Sequence, residues 1–567
     1  MVRKYFQNWS KEKLLHEYKE LLKRKKFGIV WEDKPEDVAE QCKTSLPILK
    51  EEKKKDLSTD NSNVTHIIIE GDNYHALSVL NYTHKRKIDV IYIDPPYNTG
   101  NKSWRYNNDF VDKEDRFRHS KWLSFMSKRL RLAKNLLKED GALICAIDHN
   151  EQEGLGLLLK EIFPGKEINC VTVVHNPRGI QGTNFSYTHE YAYFVIPKGK
   201  KYLENRKIES KDIDWRNLRD NGGESLRSDA KNCFYPIIIK NDEILAFGDI
   251  LAVESHPKQS TVKKGDTYEI WPMDKEGIER KWRYARQSIE EVKHLLRVKK
   301  QKNGYEIEIG KDFGIYRTVW TGSKYDANEY GTKLVRQIIG KDFPYPKSLY
   351  TVKECIEAVA TQKGTAIILD FFAGSGTTGH AVLEMNNGKG NRQFILCTNN
   401  EDNNGSGTKI ASDICYPRIK NVIRGYKVKG EKVNGLGGNL KYFSTAFVDN
   451  VKTDNDKRVF TSSCTEMLCL AEATFDEMIL KKGSFAIYEN QKQMTGIIYD
   501  EDAIADFKKE ARKYKKPFVV YVFSYDHTYN EEDFEDLENL RAIKPIPEAI
   551  LNVYRKIYKE LYKPRHL

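Results

Sequence analysis

The sequence predicts an α/β protein with a mostly parallel sheet, interrupted by an irregular insert and followed by a smaller α+β region. Three observations support this prediction. Apolar segments of strand length alternate with segments of helical periodicity in two separate parts of the chain. Residues 200–333 break that rhythm, and it ends for good near residue 445. Strands that are separated by helices indicate a parallel sheet with crossover helices.

The first run of alternation lies in residues 61–199. VTHIIIEGD and KIDVIYID are each typical of a strand that ends in an acid, and GALICAID is typical of a third strand. The second run lies in residues 334–445, where the strand TAIILDFF follows a predicted helix and precedes a glycine-rich turn. We expect these two runs to be the halves of one sheet.

Three further segments complete the expected organisation. Residues 1–60 are rich in Lys and Glu and are expected to form a charged arm. Residues 200–333 combine Arg and Lys with Trp and Tyr, and are expected to form a separate basic domain. Residues 446–567 are expected to form a smaller carboxyl-terminal domain around the strand PFVVYVFSY.

Length, composition and net charge indicate which classes of protein this chain can belong to. The chain has 567 residues, which is too long for one ordinary core, and it is 31% charged and 39% hydrophobic, as globular proteins are. Its net charge of +12 and pI near 8.9 favour a polyanionic partner. No apolar run approaches the ~20 residues of a membrane span, and no signal peptide is evident, so we expect a cytoplasmic protein with no membrane partner.

The cysteines and histidines suggest neither a metal site nor a disulfide framework. The nine cysteines form no CxxC pair, and several lie within apolar, strand-like segments, which is typical of reduced core residues. His149, His175 and His189 are scattered without metal-ligand spacing. We therefore expect no metal cofactor.

The first motif of chemical interest is DPPY, at the end of the strand KIDVIYID. Asp94 is followed by Pro95 and Pro96, which stop the strand and stiffen the backbone, and then by Tyr97. By itself this motif fits a strand-ending turn as well as it fits a preorganised site for a flat, polar substrate.

The second motif is the glycine-rich turn in DFFAGSGTTG, after the strand that ends at Asp370. A phosphate-binding P-loop would need Lys after the last glycine, where this chain has His380. A dinucleotide site fits the glycines and the acid Glu401 about 20 residues further on. S-adenosylmethionine also fits, because its amino-acid end and ribose can lie over such a turn. The turn alone does not separate these two ligands, or exclude a turn without a ligand.

The two motifs together favour one chemistry. Asp94 and the carbonyl of Pro95 are two fixed acceptors, which suit an exocyclic NH2 group with two hydrogens to donate. The ring of Tyr97 can stack on a base, a contact worth ~1–3 kcal/mol. Hydride transfer needs neither feature. An amine held beside an S-adenosylmethionine pocket indicates methyl transfer to nitrogen.

In this order the motifs resemble those of the DNA amino-methyltransferases of the β arrangement, in which DPPY precedes FxGxG and a target-recognition domain lies between them. EGDN (70–73), WLSFMSKRL, DGALICAIDHNE, GTNFSYTHEYAYFV (182–195) and GLGGNLKYFSTAFV extend the resemblance over about residues 20–450, and point to the modification (Mod) subunit of type III restriction–modification systems. The resemblance implies a Rossmann-like, S-adenosylmethionine-dependent methyltransferase sheet.

The resemblance also implies a set of site residues. Asp94, Pro95, Pro96 and Tyr97 would be catalytic. Asp72 in EGDN would lie near the cofactor adenine, Lys347 in DFPYPKSLY near its methionine end, and Glu401 in CTNNE near its ribose. The other expected cofactor residues form the turn itself: Asp370, Phe372, Ala373, Gly374, Ser375, Gly376, Thr377 and Thr378.

The implied activity is site-specific methylation of N6 of a flipped adenine in double-stranded DNA. An N4-cytosine enzyme, a solitary adenine enzyme and an inactive DNA-specificity subunit remain as alternatives. A C5-cytosine enzyme is disfavoured, because no Pro-Cys dipeptide occurs in the chain. The resemblance further implies a homodimer and a possible separate restriction subunit that carries helicase and nuclease activity.

Overall fold

The computed structural model describes residues 9–23, 31, 34–59, 64–107, 109–208, 210–360, 363–388, 390–400, 407–525 and 528–561. The chain forms two compact units. One consists of Met1–Glu204 with Arg317–Leu567, and the other of Asn205–Tyr316.

The larger unit is built on one extensive sheet. Within the described residues this sheet has ten strands, numbered here in chain order: β1 Ser45–Glu51, β2 Thr65–Glu70, β3 Ile88–Ile93, β4 Leu137–Ile147, β5 Lys166–Val174, β6 His189–Pro197, β7 Val319–Trp320, β8 Ile367–Asp370, β9 Gln393–Thr398 and β10 Asn439–Asp449. Their spatial order is β1-β10-β2-β9-β8-β3-β4-β6-β5-β7.

Most of the sheet is parallel. The six neighbouring strands from β10 to β4 all run in one direction, while β1 and β6 run against their neighbours. All six residues of β3 are buried, as expected for a central strand that is covered on both faces. The fold confirms the predicted α/β class, and it confirms that the two separated runs of alternation belong to one sheet.

Helices flank the sheet and connect its strands. In chain order they are α1 Lys11–Lys23, α2 Asp37–Gln41, α3 Asn73–Thr83, α4 Arg118–Leu136, α5 Gln152–Ile162, α6 Leu334–Ile339, α7 Leu349–Ala360, α8 Thr377–Asn386, α9 Tyr416–Arg424, α10 Asp454–Ser463, α11 Thr465–Glu472, α12 Ile504–Ala511 and α13 Glu548–Leu561. The middle of α4 is buried almost all round, including Trp122, Met126 and Arg129. A helix buried in this way belongs to the core and not to a solvent-facing layer.

The unit Asn205–Tyr316 is an all-β assembly of short antiparallel strands. One four-stranded sheet contains Ile237–Lys240, Glu243–Phe247, Thr261–Lys264 and Thr267–Ile270, and a three-stranded sheet contains Arg216–Asn217, Leu296–Gln301 and Gly304–Ile309. Its core includes Tyr235 and Trp282, whose indole N–H donates to the Tyr235 carbonyl at 2.8 Å.

This unit is shorter than the segment 200–333 that the sequence predicted. Residues 317–333 belong to the larger unit, because Val319 and Trp320 pair with β5 and the Tyr325 side chain is fully buried there. Two aromatic residues of this stretch, Trp320 and Tyr325, are buried in the core of the larger unit.

The two ends of the chain also differ from expectation. Residues 45–51 are not part of a charged arm, because they form β1, which pairs with β10 along its whole length. The carboxyl-terminal region has its own five-stranded sheet, β11 Asp476–Lys481, β12 Phe485–Glu489, β13 Met494–Ile498, β14 Phe518–Phe523 and β15 Leu540–Ile546. It nevertheless shares a core with the rest of the larger unit, and the Tyr554 hydroxyl of α13 donates to the Pro47 carbonyl at 2.5 Å.

The cysteines agree with the sequence-based expectation. All nine are free, eight are buried and Cys170 is half-buried. In the described part of the chain, no helix is long and apolar enough to cross a membrane. The same residues contain no group of three or more His, Cys, Asp or Glu side chains arranged as a metal site.

Candidate active site

Two strand ends that are far apart in the sequence lie side by side in the sheet. β3 and β8 are parallel neighbours, with Ile368 opposite Val90 and Leu369 opposite Ile91. Both strands therefore end at the same edge, where Asp94 directly follows β3 and Asp370 is the last residue of β8. The carboxyl edge of a parallel sheet is where ligands bind in folds of this class.

Around Asp94 the fold assembles a cluster of charged and aromatic side chains. The Lys347 ammonium lies 2.9 Å from Asp94 Oδ2 and 3.1 Å from Glu190 Oε2. The Tyr97 hydroxyl donates to the same Glu190 oxygen at 3.0 Å, and the ammonium lies 4.5 Å from the centre of the Tyr97 ring. The DPPY turn, Glu190 and Lys347 are far apart in the sequence, and their side chains form one cluster.

The electrostatics of this cluster follow from burial. Burial raises the pKa of the Asp94 carboxyl, the Lys347 ammonium opposes this rise, and Glu190 adds to it. The pKa of Lys347 is also raised, because the two carboxylates together outweigh the effect of burial. Burial and the neighbouring carboxylates raise the pKa of Tyr97, which stays a hydroxyl donor. The cation thus favours the ionised form of a carboxylate that burial would otherwise neutralise.

Hydrogen bonds from neighbouring buried side chains hold the DPPY turn in place. The Trp122 indole N–H of α4 donates to the Pro96 carbonyl at 2.7 Å. Asn98 adopts a positive φ of 54°, is fully buried, and donates to Glu151 Oε1 at 2.5 Å. Its side-chain oxygen accepts from the Trp104 indole at 3.1 Å. The prolines stiffen the turn as the sequence predicted, and these contacts fix its orientation as well.

The glycine-rich turn after β8 stabilises itself by internal hydrogen bonds. Asp370 is buried, and its carboxylate accepts from the Phe372 N–H at 2.9 Å and from the Thr378 hydroxyl at 2.6 Å. Burial raises the pKa of this carboxyl to about 7 against those hydrogen bonds. Gly374 and Gly376 have positive φ values of 49° and 77°, a conformation that side-chain-bearing residues rarely adopt. The Asp370 carboxylate therefore shapes the turn.

Arg418 of α9 also holds this turn, and the sequence analysis missed it. Its side chain is fully buried and donates to the Ser375 carbonyl at 3.3 Å, to Ser375 Oγ at 3.0 Å and to Thr377 Oγ1 at 2.8 Å. Burial lowers its pKa to about 10. The only sequence signal was an arginine between apolar positions of an amphipathic helix, which does not reveal what it contacts.

Several of the expected cofactor residues lie together at this edge, but with their side chains turned inward. Ser375, Thr377 and Thr378 are buried, with their hydroxyls engaged inside the turn. Phe372 is half-buried, and the Ala373 N–H donates to the Cys397 carbonyl at 3.1 Å. A ligand role for these residues stays a prediction. Because the hydroxyls of Ser375, Thr377 and Thr378 are engaged inside the turn, these three residues would contact a ligand through their backbone groups.

Asp72 lies at the same edge, at the end of β2. It is the N-cap of α3, accepts from the Tyr74 N–H at 2.7 Å and lies 3.4 Å from the buried Arg129 guanidinium. The neighbouring Asn73 side chain donates to the Phe371 carbonyl at 2.9 Å, which ties EGDN to the glycine-rich turn. Asp72 thus has structural partners in addition to any ligand.

Lys347 and Glu401 are the remaining expected cofactor residues. Lys347 was expected near the methionine end of a cofactor, and the structure places its ammonium against Asp94 and Glu190. Its proposed cofactor contact stays a prediction. Glu401 lies outside the described residues.

The turn after β8 fits a cofactor that approaches the backbone closely. A Cβ atom added at Gly374 would meet only ordinary contacts, with the Phe343 ring at 3.7 Å and the Phe372 carbonyl oxygen at 3.8 Å. By contrast, a Cβ at Gly379 would lie 2.7 Å from Ile419 Cδ1, so this glycine serves helix packing. Gly374 therefore leaves room beside its backbone, whereas Gly379 is required by the close packing of α8 against α9.

Comparison with known proteins identifies a family. The model of a family described as DNA methylase, with N6 and N4 methyltransferase members, matches residues 88–403. The type II methyltransferase M.KpnI of Klebsiella pneumoniae is 32% identical over 399 residues, which cover 65% of this chain and 90% of that protein.

Two Mod subunits of type III restriction–modification enzymes are also similar. The EcoPI subunit of Escherichia phage P1 is 28% identical over 431 residues, 66% of this chain and 64% of that protein. The StyLTI subunit of Salmonella typhimurium is 26% identical over 465 residues, 74% of this chain and 67% of that protein. The chain thus spans about two thirds of the length of these relatives.

Proposed function

Because the chain belongs to the N6/N4 DNA methylase family, we propose that it transfers a methyl group from S-adenosylmethionine to N6 of adenine in double-stranded DNA. Its similarity to Mod subunits supports a role as the modification subunit of a type III restriction–modification system. The observation that carries the proposal is the parallel pairing of β3 with β8, which brings Asp94 next to the glycine-rich turn.

The turn after β8 and the end of β2 would hold the cofactor. Gly374 and Gly376 allow its close approach to the backbone, while Asp72 lies at the same edge two strands away. When bound, S-adenosylmethionine supplies a methyl group activated by a positively charged sulfur. Arg418 and Asp370 keep the turn in shape through their hydrogen bonds within it.

The DPPY residues would hold the other reactant. The Asp94 carboxylate and the Pro95 carbonyl accept hydrogen bonds from the two N–H groups at N6 of adenine. These hydrogen bonds draw the nitrogen lone pair out of conjugation with the ring. The Tyr97 ring stacks on the base. Positioning of the amine accounts for most of the rate, and no covalent enzyme intermediate is needed.

Lys347 and Glu190 would tune this acceptor. Lys347 favours the ionised form of Asp94 in a buried site, and Glu190 fixes the Tyr97 hydroxyl. Since a protonated carboxyl is a weaker acceptor, the cation keeps Asp94 competent near neutral pH.

The adenine must leave the duplex to reach Asp94, at a cost of a few kcal/mol. The unit Asn205–Tyr316 would bind DNA and contribute to sequence recognition, since it lies in the chain between the DPPY motif and the glycine-rich turn, where the resemblance places the target-recognition domain. A homodimer and a separate restriction subunit are further parts of the proposal, which rest on the similarity to Mod subunits.

The test is incubation of the protein with methyl-labelled S-adenosylmethionine and unmethylated genomic DNA, followed by digestion to nucleosides. Label in N6-methyladenine is the expected result. Label in N4-methylcytosine would overturn the choice of base, and no transfer by folded protein would overturn the activity. Sequencing of the methylated DNA would identify the recognition site.

A further inference from the structure

A short hairpin between β5 and β6 projects from the chain beside the catalytic cluster. Ile180–Gln181 pairs with Ser186–Tyr187, with Ile180 opposite Tyr187. The Gly182 N–H donates to the Phe185 carbonyl at 3.1 Å and closes a tight turn at the tip. The two strands and their turn form a defined structure whose side chains are exposed from residue 180 to residue 187.

Contacts at the carboxyl-terminal end of this hairpin lead to the surroundings of the DPPY turn. The Tyr187 ring stacks on His149 at 4.1 Å, and His149 lies two residues before Glu151, which holds Asn98. Three residues after Tyr187, the Glu190 carboxylate accepts from the Tyr97 hydroxyl. The second strand of the hairpin therefore leads directly to the residues that would receive the flipped base.

The tip carries a large aromatic side chain that the fold does not bury. Phe185 is 77% exposed, although other aromatic residues of this unit, such as Phe371 and Tyr92, are almost completely buried. A Cβ atom at Gly182 would lie 2.7 Å from the Phe185 carbonyl oxygen, so the tight turn that presents Phe185 requires glycine.

The charge of the hairpin suits a polyanion. Residues 175–188 contain no Asp or Glu and include the exposed Arg178, in a chain of which 31% is charged. An apolar tip on a hairpin without negative charge can pass between phosphates and insert into a base stack, as apolar wedges do in proteins that distort DNA. A hairpin that contacts another protein would have no need to lack Asp and Glu, whereas a hairpin that approaches DNA phosphates would.

From these observations we propose that Phe185 inserts into the duplex beside the target adenine and holds open the space that the flipped base leaves. This inference rests on the proposed function and adds to it a residue that acts on DNA and not on the reacting atoms. Phe185 assists the opening of one base pair, so its contribution is needed only where the target adenine is paired.

The test compares two duplexes that carry the recognition sequence identified with the wild-type protein. In one the target adenine is paired with thymine, and in the other it faces an abasic site, so that no pair has to be opened. The variants are Phe185→Ala, Phe185→Trp, which keeps a ring, and Val459→Ala as a control, because Val459 of α10 is also exposed, at 51%.

We expect Phe185→Ala to lower kcat/KM at least about 10-fold on the paired duplex and less than about 3-fold on the abasic duplex, because only the paired base needs the wedge. Phe185→Trp should retain most of the activity, and Val459→Ala should match the wild type on both duplexes. Equal losses on the two duplexes, or no loss, would overturn the wedge. If the wild type methylates neither duplex, the proposed function itself fails.

Discussion

The turn after β3 and the turn after β8 have the same plan in the sequence, with a buried strand, an acid and a rigid turn, yet their acids do different work. The Asp370 carboxylate accepts from an N–H and a hydroxyl of its own turn. The Asp94 carboxylate instead faces Lys347, which comes from a distant segment and also contacts Glu190. The difference lies in the partners of each carboxylate: those of Asp370 are local, and that of Asp94 is distant. In the proposed function, Asp370 supports the turn and Asp94 accepts from the substrate.

The largest expected effect concerns Asp370 and stability. Its pKa is about 7 in the fold and near 3.8 without the fold's influence, so the folded state binds more protons between those values. Stability is therefore highest below about pH 4 with respect to this group, and falls by up to about 4 kcal/mol as pH rises through 7.

Asp370→Asn should remove this pH dependence. The measurement is thermal unfolding of both proteins at about pH 5 and about pH 8. The change in Tm between the two pH values is then compared for the wild type and the variant. The variant should lose less Tm than the wild type on going to the higher pH. Parallel Tm profiles would show that the Asp370 carboxyl does not titrate in the fold.

Lys347→Met should have the next largest effect. Without the ammonium, the pKa of Asp94 rises further, so the acidic limb of the kcat profile moves to higher pH. Loss of charge-assisted contacts worth ~1.5–3 kcal/mol corresponds to a roughly 10- to 100-fold lower rate near neutral pH. Lys347→Arg, which keeps the charge, is the matched control. An unshifted acidic limb in the Met variant would contradict the role of the cation.

Glu190→Gln should move the same limb in the opposite direction. Glu190 raises the pKa of Asp94, so its replacement by a neutral amide lowers that pKa and extends activity to lower pH. The rate at neutral pH should fall no more than about 10-fold, because the amide oxygen can still accept from Tyr97. A limb that moves to higher pH, as with Lys347→Met, would show that Glu190 does not act through charge.

Tyr97→Phe should have the smallest effect. It removes the hydroxyl that donates to Glu190 and leaves the ring for stacking. The loss of one hydrogen bond of ~0.5–1.5 kcal/mol predicts a roughly 2- to 10-fold lower kcat/KM. Tyr97→Ala, which removes the ring as well, should lose clearly more. Equal losses in the two variants would mean that the ring does not stack on the base.

Local sequence was sufficient to predict much of this architecture. The strand-ending acids, the stiff DPPY turn and the glycine-rich turn are encoded within a few residues each, and the alternation of strands and helices places them on one sheet. The N-terminal strand β1 escaped detection, because SLPILKE is flanked by charged residues that resemble an arm.

What the sequence could not show are the long-range contacts. Lys347 reaches Asp94 from a distant segment, Glu190 reaches Lys347 and Tyr97 from another, and Arg418 reaches the glycine-rich turn from α9. No pattern around these residues indicates their partners, since each contact depends on how the whole sheet is assembled. For the same reason the sequence did not reveal the partners of Asp370 inside its own turn, and its expected cofactor role stays a prediction.

One measurement tests the contrast between the two acids most directly: the rate of methyl transfer to DNA by Asp94→Asn and by Asp370→Asn at saturating S-adenosylmethionine. The same change of carboxylate to amide is made at both strand ends. Asp94→Asn should lose transfer at least about 1,000-fold, because the amide presents a donor where an acceptor is needed. Asp370→Asn should stay within about 10-fold of the wild type, because an amide can replace hydrogen bonds inside the turn. Comparable losses in both variants, or a larger loss at Asp370, would contradict the assignment of Asp94 as the acceptor and Asp370 as the scaffold.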